Sequence, residues 1–557
     1  MSAKKILNDP GDAVEEYIGG LVRGTAHLSR LDGWPVVVRS PGTAKPGDRV
    51  ALVSGGGSGH EPAHAGYVGV GMLDAAVLGP VFTSPSVDAV YAAIRAVATD
   101  AGVLLIVKNY TGDRLNFGLA AEMARADGIR VATVTVADDA ALGDASRAGR
   151  RGLTATVLVH KIAGAAAEQG RDLDDIVALV DRFLAGAATM GVALGPCTVP
   201  GAAAANFDLA ADEVEWGLGI HGEAGSERAP LPDSRGIAAA LVDRIVADRG
   251  LESGEEIVAL VNSLGATPDL ELRILHGDVL ATLAERGLRV RMTWAGPFLT
   301  SLEMPGASVT LARADAEVLD LLAADARVLA FPRTSPRHDA DRDLVVPSPH
   351  AFAPRIAAAS TGAVDDGVAR RVRAVAEALV AAEPELTELD RTVGDGDLGL
   401  NLARGARALL ADEARLTGLA PADRLTALSD IVRREVGGTS GPLYSILLLS
   451  IAEAVGAGAA WPQALVEGVA RIREVGGAAP GDSTMIDALQ PAADAFVAGD
   501  IAAAAEAARA GAASTAALRP ALGRSSYLGD RAVGVPDPGA VAIAIIFEAL
   551  AAGEAGE

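Results

Sequence analysis

Three aspartates lie within eight residues of the segment LTELDRTVGDGDLGLN, namely Asp390, Asp395 and Asp397. Carboxylates this close together repel one another unless a cation lies among them, and their hard oxygen atoms suit Mg²⁺ or Ca²⁺. The interleaved glycines allow a tight turn that presents backbone N–H groups to a phosphate. The alternative interpretation is an Asx turn that caps the helix predicted at 398–410. We expect a Mg²⁺ site that also contacts phosphate groups.

Three more glycine-rich turns follow in the same part of the sequence. VGGTSGP lies at a predicted helix N-terminus, where anions are favoured. GGAAPGDSTMIDAL offers an apolar methionine that could cover an adenine ring, and GRSSYLGDRAVGVPDPGA offers an arginine and a tight turn. Taken singly, each segment is typical of a helix connection. Together they predict a nucleotide site at converging helix ends, built from Thr439, Ser440, Gly476, Met485, Arg524, Asp537, Pro538 and Gly539.

The segment RVALVSGGGSGHEPAHAG is a predicted strand followed by a glycine-rich loop. It lacks the Gly-Lys-Ser/Thr of a P-loop, and His60 stands where a dinucleotide-binding loop would have its third glycine. The loop would place His60 at the carboxyl end of a strand, where open α/β sheets bind ligands. The strand Val103–Lys108 would bring Lys108 and Asp113 to the same edge. These groups can bind hydroxyls and transfer a proton, although a loop ion pair is an equal alternative.

His221 lies between Gly219 and Gly222 in EWGLGIHGEAGSER, with Glu223 two residues on. A histidine flanked by glycines in a short loop is exposed unless partners fix it, and imidazole is a permissible nucleophile toward a carbonyl. The remaining histidines show no comparable arrangement, although His64 could support His60. The HEPAH run resembles a zinc helix motif only superficially, because its proline disrupts the helical face that such a motif needs.

The elements that would position these residues change type along the chain. Short β-branched runs alternate with Ala-rich helical stretches over the first 331 residues, which predicts an α/β region with mostly parallel sheets covered by helices. Residues 332–355 are rich in Pro and charge and are typical of a linker. From residue 356 to 557 the strand patterns vanish, and roughly eight helical stretches predict an all-α domain.

The composition limits the possible functions of the 557-residue chain. Its hydrophobic share of 50% and charged share of 22% are normal for a globular protein. The net charge of −24 argues against a nucleic-acid surface, but Mg²⁺ can still bring a nucleotide to carboxylates. Cys197 is the only cysteine, and no signal peptide or membrane span is visible. We expect a cytoplasmic enzyme with no nucleic-acid or membrane partner.

Nearly the whole chain resembles the ATP-dependent dihydroxyacetone kinases. SGGGSGHEPAHAGYVG, KNYTGDRLNFG, RRGLT, GVALGPCTVP and GIHGEAG are similar to the ketose-binding domain of that family. LDRTVGDGD, GGTSGPLYS, PGDSTMIDAL and GRSSYLGDRAVGVPDPGA are similar to its nucleotide-binding domain. The resemblance implies that the second domain is an antiparallel helical barrel. It also implies phosphoryl transfer from Mg²⁺-ATP to a short ketose by a homodimer.

The resemblance further assigns roles to individual residues. His221 would hold the substrate carbonyl as a hemiaminal, and His60 and Asp113 would act on the proton of the reacting hydroxyl. Lys108 would hold substrate oxygens, and the glycine-rich loop would cradle ketose rather than ATP, through Gly57, Ser58 and Gly59. The three aspartates would hold Mg²⁺, and the nucleotide would also contact Leu398, Gly399, Leu400 and Asn401.

Two positions depart from the family pattern and leave the choice of substrate open. Leu398 stands where Thr or His often follows the GDGD run, and Ala224 stands where Pro often follows the His-Gly-Glu stretch. The second departure bears on the choice of ketose, so a kinase for D- or L-erythrulose is the nearest alternative, and triose kinase activity could coexist with either. A non-catalytic ketose sensor is a third hypothesis, and a helical domain that serves only oligomerisation is a fourth.

Overall fold

The computed structural model describes residues 4–43, 45–142, 149–223, 225–332 and 366–554. The chain divides into two compact units, Met1–Leu344 and Val345–Glu557. The predicted linker at 332–355 lies outside the described residues except for Pro332, and so does Ala224.

The first sheet has six strands in the order β1-β2-β4-β3-β5-β6. Strands β4, β3, β5 and β6 pair in parallel, whereas β1 and β2 pair antiparallel at one edge. β3 and β5 are buried along their whole length, as expected for parallel strands covered by helices on both faces. The strands are β1 (Leu28–Arg30), β2 (Val36–Arg39), β3 (Ala51–Ser58), β4 (Ala75–Val81), β5 (Val103–Lys108) and β6 (Val131–Val136). The helices of this region are α1 (Ala13–Gly24), α2 (Val87–Val97), α3 (Thr111–Ala126), α4 (Ala155–Glu168) and α5 (Leu173–Ala185).

The second sheet also has six strands, in the order β11-β10-β12-β7-β8-β9. Only β10 and β11 pair in parallel, so the expectation of mostly parallel sheets is wrong for this sheet. β10 and β12 are almost wholly buried, and their apolar runs imitate those of parallel strands. The strands are β7 (Ala187–Ala193), β8 (Glu213–Trp216), β9 (Glu227–Pro230), β10 (Glu256–Ser263), β11 (Arg289–Gly296) and β12 (Gly306–Arg313), and the helices are α6 (Ser234–Arg249), α7 (Asp269–Glu285) and α8 (Ala316–Ala323).

The second unit contains ten α-helices and no strand within residues 366–554. Short turns join most neighbouring helices, so neighbouring helices are antiparallel. The last helix, α18, packs against both α17 and α9, and the helices therefore form a closed ring. The roughly eight predicted stretches become ten because a break at Ala382 separates α9 from α10 and because α12 has only five residues. The helices are α9 (Asp366–Ala381), α10 (Glu383–Val393), α11 (Leu398–Ala411), α12 (Glu413–Thr417), α13 (Pro421–Glu435), α14 (Ser440–Gly456), α15 (Trp461–Gly476), α16 (Ile486–Ala498), α17 (Ile501–Ser514) and α18 (Pro538–Glu554).

Alanine, valine, leucine and isoleucine dominate the cores of both units. Within the described ranges, no helix combines the length and the apolar character that crossing a bilayer requires.

Candidate active site

The carboxyl ends of β3 and β5 lie side by side in the first sheet. β3 continues through Gly57 and Ser58, so the first part of the predicted glycine-rich loop is strand, and Gly57 is required because the chain there passes very close to the residues that follow β4. A Cβ atom at Gly57 would lie 2.6 Å from the Thr83 amide nitrogen and 2.8 Å from the Phe82 carbonyl carbon. β5 ends at Lys108, and α3 begins two residues before Asp113. The sheet therefore brings His60, Lys108 and Asp113 to one edge, as the sequence predicts.

His60 and His221 face each other directly. His60 Nε2 lies 3.1 Å from His221 Nε2, and His60 Nδ1 lies 2.7 Å from the Thr300 carbonyl oxygen. A carbonyl oxygen only accepts hydrogen bonds, so the Nδ1 atom of His60 carries a proton. Burial, reinforced by the charge of Lys108, lowers the pKa of His60 well below its usual range. His60 Nε2 is therefore an acceptor directed at His221.

The Glu223 carboxylate fixes the tautomer of His221. Glu223 Oε1 lies 2.9 Å from His221 Nδ1, and Oε2 accepts a hydrogen bond of 3.0 Å from the His221 backbone N–H. Burial raises the pKa of Glu223, but the hydrogen bond and charge of His221 outweigh burial and lower the pKa to about 2. Because a carboxylate can only accept here, the proton is on Nδ1 and Nε2 is left for chemistry. The His221 side chain is 20% exposed, so a substrate can reach it.

The facing Nε2 atoms restrict the protonation of the histidine pair. Two lone pairs at 3.1 Å repel each other, so the unliganded pair shares one proton. When a carbonyl group enters this position, the Nε2 lone pair of His221 can attack its carbon while the proton stays with His60.

Lys108 and Asp113 are buried polar groups that the surrounding protein does not satisfy. Lys108 is 1% exposed and Asp113 is 3% exposed. Among the described residues, neither Lys108 Nζ nor Asp113 Oδ1 has a hydrogen-bond partner. Burial lowers the pKa of Lys108, although the charges of Asp113 and Glu223 act in the opposite direction. Orphaned buried donors and acceptors of this kind suit a ligand with several oxygen atoms better than a simple loop ion pair.

The structure uses two other loop residues mainly to hold the loop together. The Ser58 hydroxyl donates a hydrogen bond of 2.8 Å to the Gly79 carbonyl on β4. The Gly59 N–H donates to both carboxylate oxygens of Glu61, at 3.1 and 3.0 Å. Their contribution to a ligand site would therefore come from backbone atoms and shape.

Several residues around His221 carry no sequence signal that would have identified them. The Tyr110 ring lies edge-on to His221 with the ring centroids 4.8 Å apart, and the Phe82 ring lies edge-on at 5.3 Å. Phe82 also stacks on His60, with the centroids 5.2 Å apart. These aromatic rings surround the histidine pair with apolar surface, which strengthens its electrostatic interactions.

His64 does not support His60 as expected. Its Nδ1 atom lies 3.0 Å from His160 Nε2 and 3.4 Å from the Ser54 hydroxyl, and both histidines are buried. The two histidines are 96 residues apart in the chain, so no motif could have paired them.

The three aspartates that the sequence predicts as metal ligands lie close together in the second unit. One carboxylate oxygen from each of Asp390, Asp395 and Asp397 lies within 4.8 Å of the others. Asp390 Oδ2 also accepts hydrogen bonds from the backbone N–H groups of Asp397, at 2.8 Å, and Leu398, at 3.1 Å. Asp397 is the N-cap residue of α11 but its side chain makes no capping hydrogen bond, so the predicted Asx turn does not form, and Asp390 of α10 accepts from the helix start instead. The Asp395 carboxylate forms an ion pair with Arg524. A compact set of partly exposed carboxylates fits Mg²⁺.

The residues predicted to bind nucleotide lie at one end of the helical unit. Leu398, Gly399, Leu400 and Asn401 form the first turn of α11, and the Asn401 amide packs against the loop that precedes Thr439 and Ser440. Met485 begins α16 and packs beside Gly539 at the start of α18, where Pro538 is the first residue. Gly476 ends α15 close to the Leu443 side chain on α14. Arg524 opens a short 3₁₀ helix and reaches the aspartate cluster.

Asp537 and Asp487 organise the same end of the unit. Asp537 Oδ1 caps α18 by accepting a hydrogen bond of 2.7 Å from the Ala540 N–H. Burial, together with the charges of Asp487 and Asp390, raises the pKa of Asp537 to about 7. Asp487, which the sequence did not single out, accepts hydrogen bonds from the N–H groups of Gly481 and Thr484, at 2.5 and 2.8 Å, and orders the glycine-rich loop before α16.

The chain combines an α/β unit that carries a candidate small-substrate site with a helical unit that carries a candidate metal and nucleotide site, an arrangement typical of a two-domain kinase. Residues 19–330 match the Dak1 domain, and residues 392–552 match the DAK2 domain. The mouse Triokinase/FMN cyclase is 41% identical over 99% of this chain and 98% of its own length. The D-erythrulose kinase of Mycolicibacterium smegmatis is 37% identical over 98% of each chain. The crystal structure of the C. freundii dihydroxyacetone kinase in complex with AMP-PNP and Mg²⁺ is 36% identical, with a TM-score of 0.66 over 99% of this chain and 100% of that one.

The chain belongs to the ATP-dependent dihydroxyacetone kinase family, with its Dak1 and DAK2 domains fused. It is an ATP-dependent kinase.

Proposed function

We propose that this kinase phosphorylates a hydroxyl of a short ketose, with dihydroxyacetone as the preferred substrate, and that His221 Nε2 binds the ketone as a hemiaminal. One observation carries this proposal. Glu223 holds the proton of His221 on Nδ1, and this leaves a nucleophilic Nε2 beside the buried and unsatisfied Lys108 and Asp113. A nucleophile, a cation and a carboxylate at one position match a molecule that has a carbonyl flanked by hydroxyl groups.

The covalent step balances without any outside reagent. As the ketone enters, the proton that the histidine pair shares stays with His60, and the Nε2 lone pair of His221 attacks the carbonyl carbon. The π electrons of the carbonyl move to its oxygen, which takes the proton from His60. The product is a tetrahedral carbon bonded to a cationic imidazole ring, and the neighbouring Glu223 carboxylate compensates that charge.

The same residues then prepare the phosphoryl transfer. His60 is neutral after it protonates the carbonyl oxygen, so its Nε2 can accept the proton of the reacting hydroxyl together with Asp113. Lys108 donates hydrogen bonds to substrate oxygens and fixes the hydroxyl for in-line attack. A covalent carbonyl anchor also excludes polyols such as glycerol, which have no carbonyl to attack.

We propose that Asp390, Asp395 and Asp397 hold Mg²⁺ and that the converging helix ends hold ATP. Mg²⁺ in such a site neutralises the charge of the nucleotide phosphates. The compact carboxylate cluster supports the proposal, and so does the Mg²⁺–AMP-PNP complex of the related C. freundii enzyme. Calorimetry with ATP in the presence and absence of Mg²⁺ tests it, and failure to bind Mg²⁺-ATP would favour a purely structural helical unit.

The variant His221→Ala tests the covalent anchor. We expect it to weaken dihydroxyacetone binding and to reduce the discrimination against glycerol, because the discrimination depends on attack at a carbonyl. His276→Ala is a matched control, since His276 lies on α7 with its Nε2 atom 2.6 Å from the Thr293 hydroxyl, away from the site. Unchanged affinity and selectivity in the His221 variant would contradict the proposal.

The number of carbons in the ketose is a separate question. Initial rates with dihydroxyacetone, D-erythrulose, L-erythrulose and glyceraldehyde would settle it. A preference of about a hundredfold for an erythrulose, near the upper range for one added carbon, would contradict the assignment of dihydroxyacetone. A chain that binds ketose but transfers no phosphate would be a sensor.

We also propose that the kinase is a cytoplasmic homodimer. A mass near 112 kDa, twice the 56.2 kDa of one chain, is expected from light scattering, and a value near 56.2 kDa would contradict it.

A further inference from the structure

Arg151 lies between β6 and α4 in a rigid, buried setting that the reaction described above does not use. Its Nε atom donates a hydrogen bond of 2.6 Å to Asp139 Oδ2, and the Asp139 side chain is 1% exposed. Asp139 is itself held in place, because its N–H donates to the Arg151 carbonyl at 3.1 Å and its Oδ1 accepts from the Ala141 N–H at 2.8 Å. The guanidinium therefore has little freedom to move.

The free end of this guanidinium holds the loop that carries His221. Arg151 Nη2 donates a hydrogen bond of 2.6 Å to the carbonyl of Gly217, the first residue of the loop Gly217–Glu223. Ser301 holds the loop at a second point, since its hydroxyl donates to the Ile220 carbonyl at 2.5 Å. The loop is therefore anchored at two points that precede His221.

Arg151 also flanks the carboxylate that orients His221. A Cβ atom at Gly219 would lie 2.6 Å from Arg151 Nη1 and would collide with Glu223 Oε2 on the same side. The guanidinium and the carboxylate thus lie against the same glycine, with opposite charges near each other. Arg151 therefore packs beside the carboxylate that accepts the Nδ1 proton of His221.

We propose that Arg151, held by Asp139, is a positioning residue for the ketose reaction. It acts through the Gly217–Glu223 loop and through Glu223, and it sets the direction in which His221 Nε2 points. This inference rests on the proposed attack of Nε2 on the ketone. Arg151 touches neither the substrate site nor His221 directly, so its effect must pass through Glu223 and the loop backbone.

The variant Arg151→Lys tests the inference. Lysine can reach either Asp139 or the Gly217 carbonyl, but a single ammonium cannot reproduce the planar fork that reaches both. We expect kcat/KM for dihydroxyacetone to fall about a hundredfold, the loss typical of a displaced reacting group, while KM for ATP stays unchanged. The preference for dihydroxyacetone over glycerol should fall as well, and a purely structural role would not change that preference.

Arg150→Met is the matched control. Arg150 is the adjacent residue and forms a comparable half-buried ion pair, from Nη1 to Asp248 Oδ2 at 2.7 Å, away from the His221 loop. It should leave the carbonyl preference unchanged even if it lowers stability. Thermal unfolding of each variant identifies effects that come only from partial unfolding, and if Arg151→Lys fails to fold, Asp139→Asn provides the same measurement.

A double-mutant cycle with Glu223→Gln shows whether the effect passes through Glu223. If it does, the double variant Arg151→Lys/Glu223→Gln loses no more activity than the worse of the two single variants. Fully additive losses, or an Arg151 variant with wild-type kinetics, would overturn the inference. The His221→Ala variant separates the two proposals. If its preference for dihydroxyacetone over glycerol is unchanged, the hemiaminal proposal itself is wrong. If His221→Ala loses that preference but the Arg151 variant behaves like the wild type, only the positioning role of Arg151 is wrong.

Discussion

Replacing Glu223 by Gln should impair the attack on the ketone while leaving the fold intact. Glutamine has nearly the same shape and can still accept the hydrogen bond from the His221 backbone N–H. Its amide NH₂ group can, however, donate to His221 Nδ1, and this permits the tautomer that carries the proton on Nε2. His221 in that tautomer has no lone pair directed at the substrate, so hemiaminal formation slows.

The pKa of Glu223 gives the magnitude. The lowering of the Glu223 pKa from 4.5 to about 2 would correspond to about 3 kcal/mol of favourable interaction for a fully buried carboxylate. Because the carboxylate is 39% exposed, screening by solvent reduces this to about 1.5–2 kcal/mol. We therefore expect kcat/KM for dihydroxyacetone to fall about ten- to thirtyfold.

The assay compares kcat/KM for dihydroxyacetone and KM for ATP in the wild type and the variant. Glu303→Gln is a matched control, because its carboxylate is also 39% exposed and also accepts a backbone hydrogen bond, from the Thr198 N–H at 3.0 Å, without contacting His221. Since the low pKa keeps Glu223 ionised down to about pH 2, the wild-type activity should not follow its titration between pH 5 and 9. A Glu223 variant with wild-type kcat/KM would refute the tautomer argument.

Three further outcomes concern Lys108, Asp397 and Asp537. Lys108→Met should raise KM for the ketose about tenfold or more, because a buried donor to substrate oxygens is lost; an unchanged KM would contradict this. Asp397→Asn should weaken Mg²⁺-dependent ATP binding in calorimetry by about ten- to a hundredfold, and unchanged binding would contradict the metal assignment. Asp537 has a raised pKa of about 7, so its contribution to the free energy of unfolding is lost as pH rises from about 4 to 7. Asp537→Asn can still cap α18 and should therefore stabilise the metal-free protein near pH 8, by at most about 4 kcal/mol, but not below pH 4. Equal effects at both pH values would refute the raised pKa.

The sequence predicted the parts of the site that depend on local pattern. The carboxyl ends of neighbouring parallel strands meet at one edge, so His60, Lys108 and Asp113 could be grouped from the strand pattern alone. The three aspartates are close in the chain, and they remain close in the structure. The change from an α/β region to helices was equally visible, because the short β-branched runs of the first region disappear after residue 356.

The sequence did not predict features that arise from contacts between distant segments. Strands β10 and β12 pair antiparallel, although their continuous apolar runs are typical of parallel strands. Burial on both faces removes the alternation of apolar and polar residues that usually marks an antiparallel strand. The hydrogen bond from Arg151 to Gly217 spans 66 residues, and the contact between His64 and His160 spans 96. No spacing rule connects such residues, so their roles follow only from the folded structure.

The account depends on a covalent bond between His221 Nε2 and the substrate carbon. Carbon-13 NMR of dihydroxyacetone labelled at its carbonyl carbon, bound to protein with ¹⁵N-labelled histidine, tests that bond directly. We predict that the ketone signal of the bound substrate is replaced by a tetrahedral-carbon signal coupled to ¹⁵N, and that the coupling is absent in His221→Ala. A bound substrate that keeps its ketone signal, or a tetrahedral carbon without nitrogen coupling, would contradict the central claim.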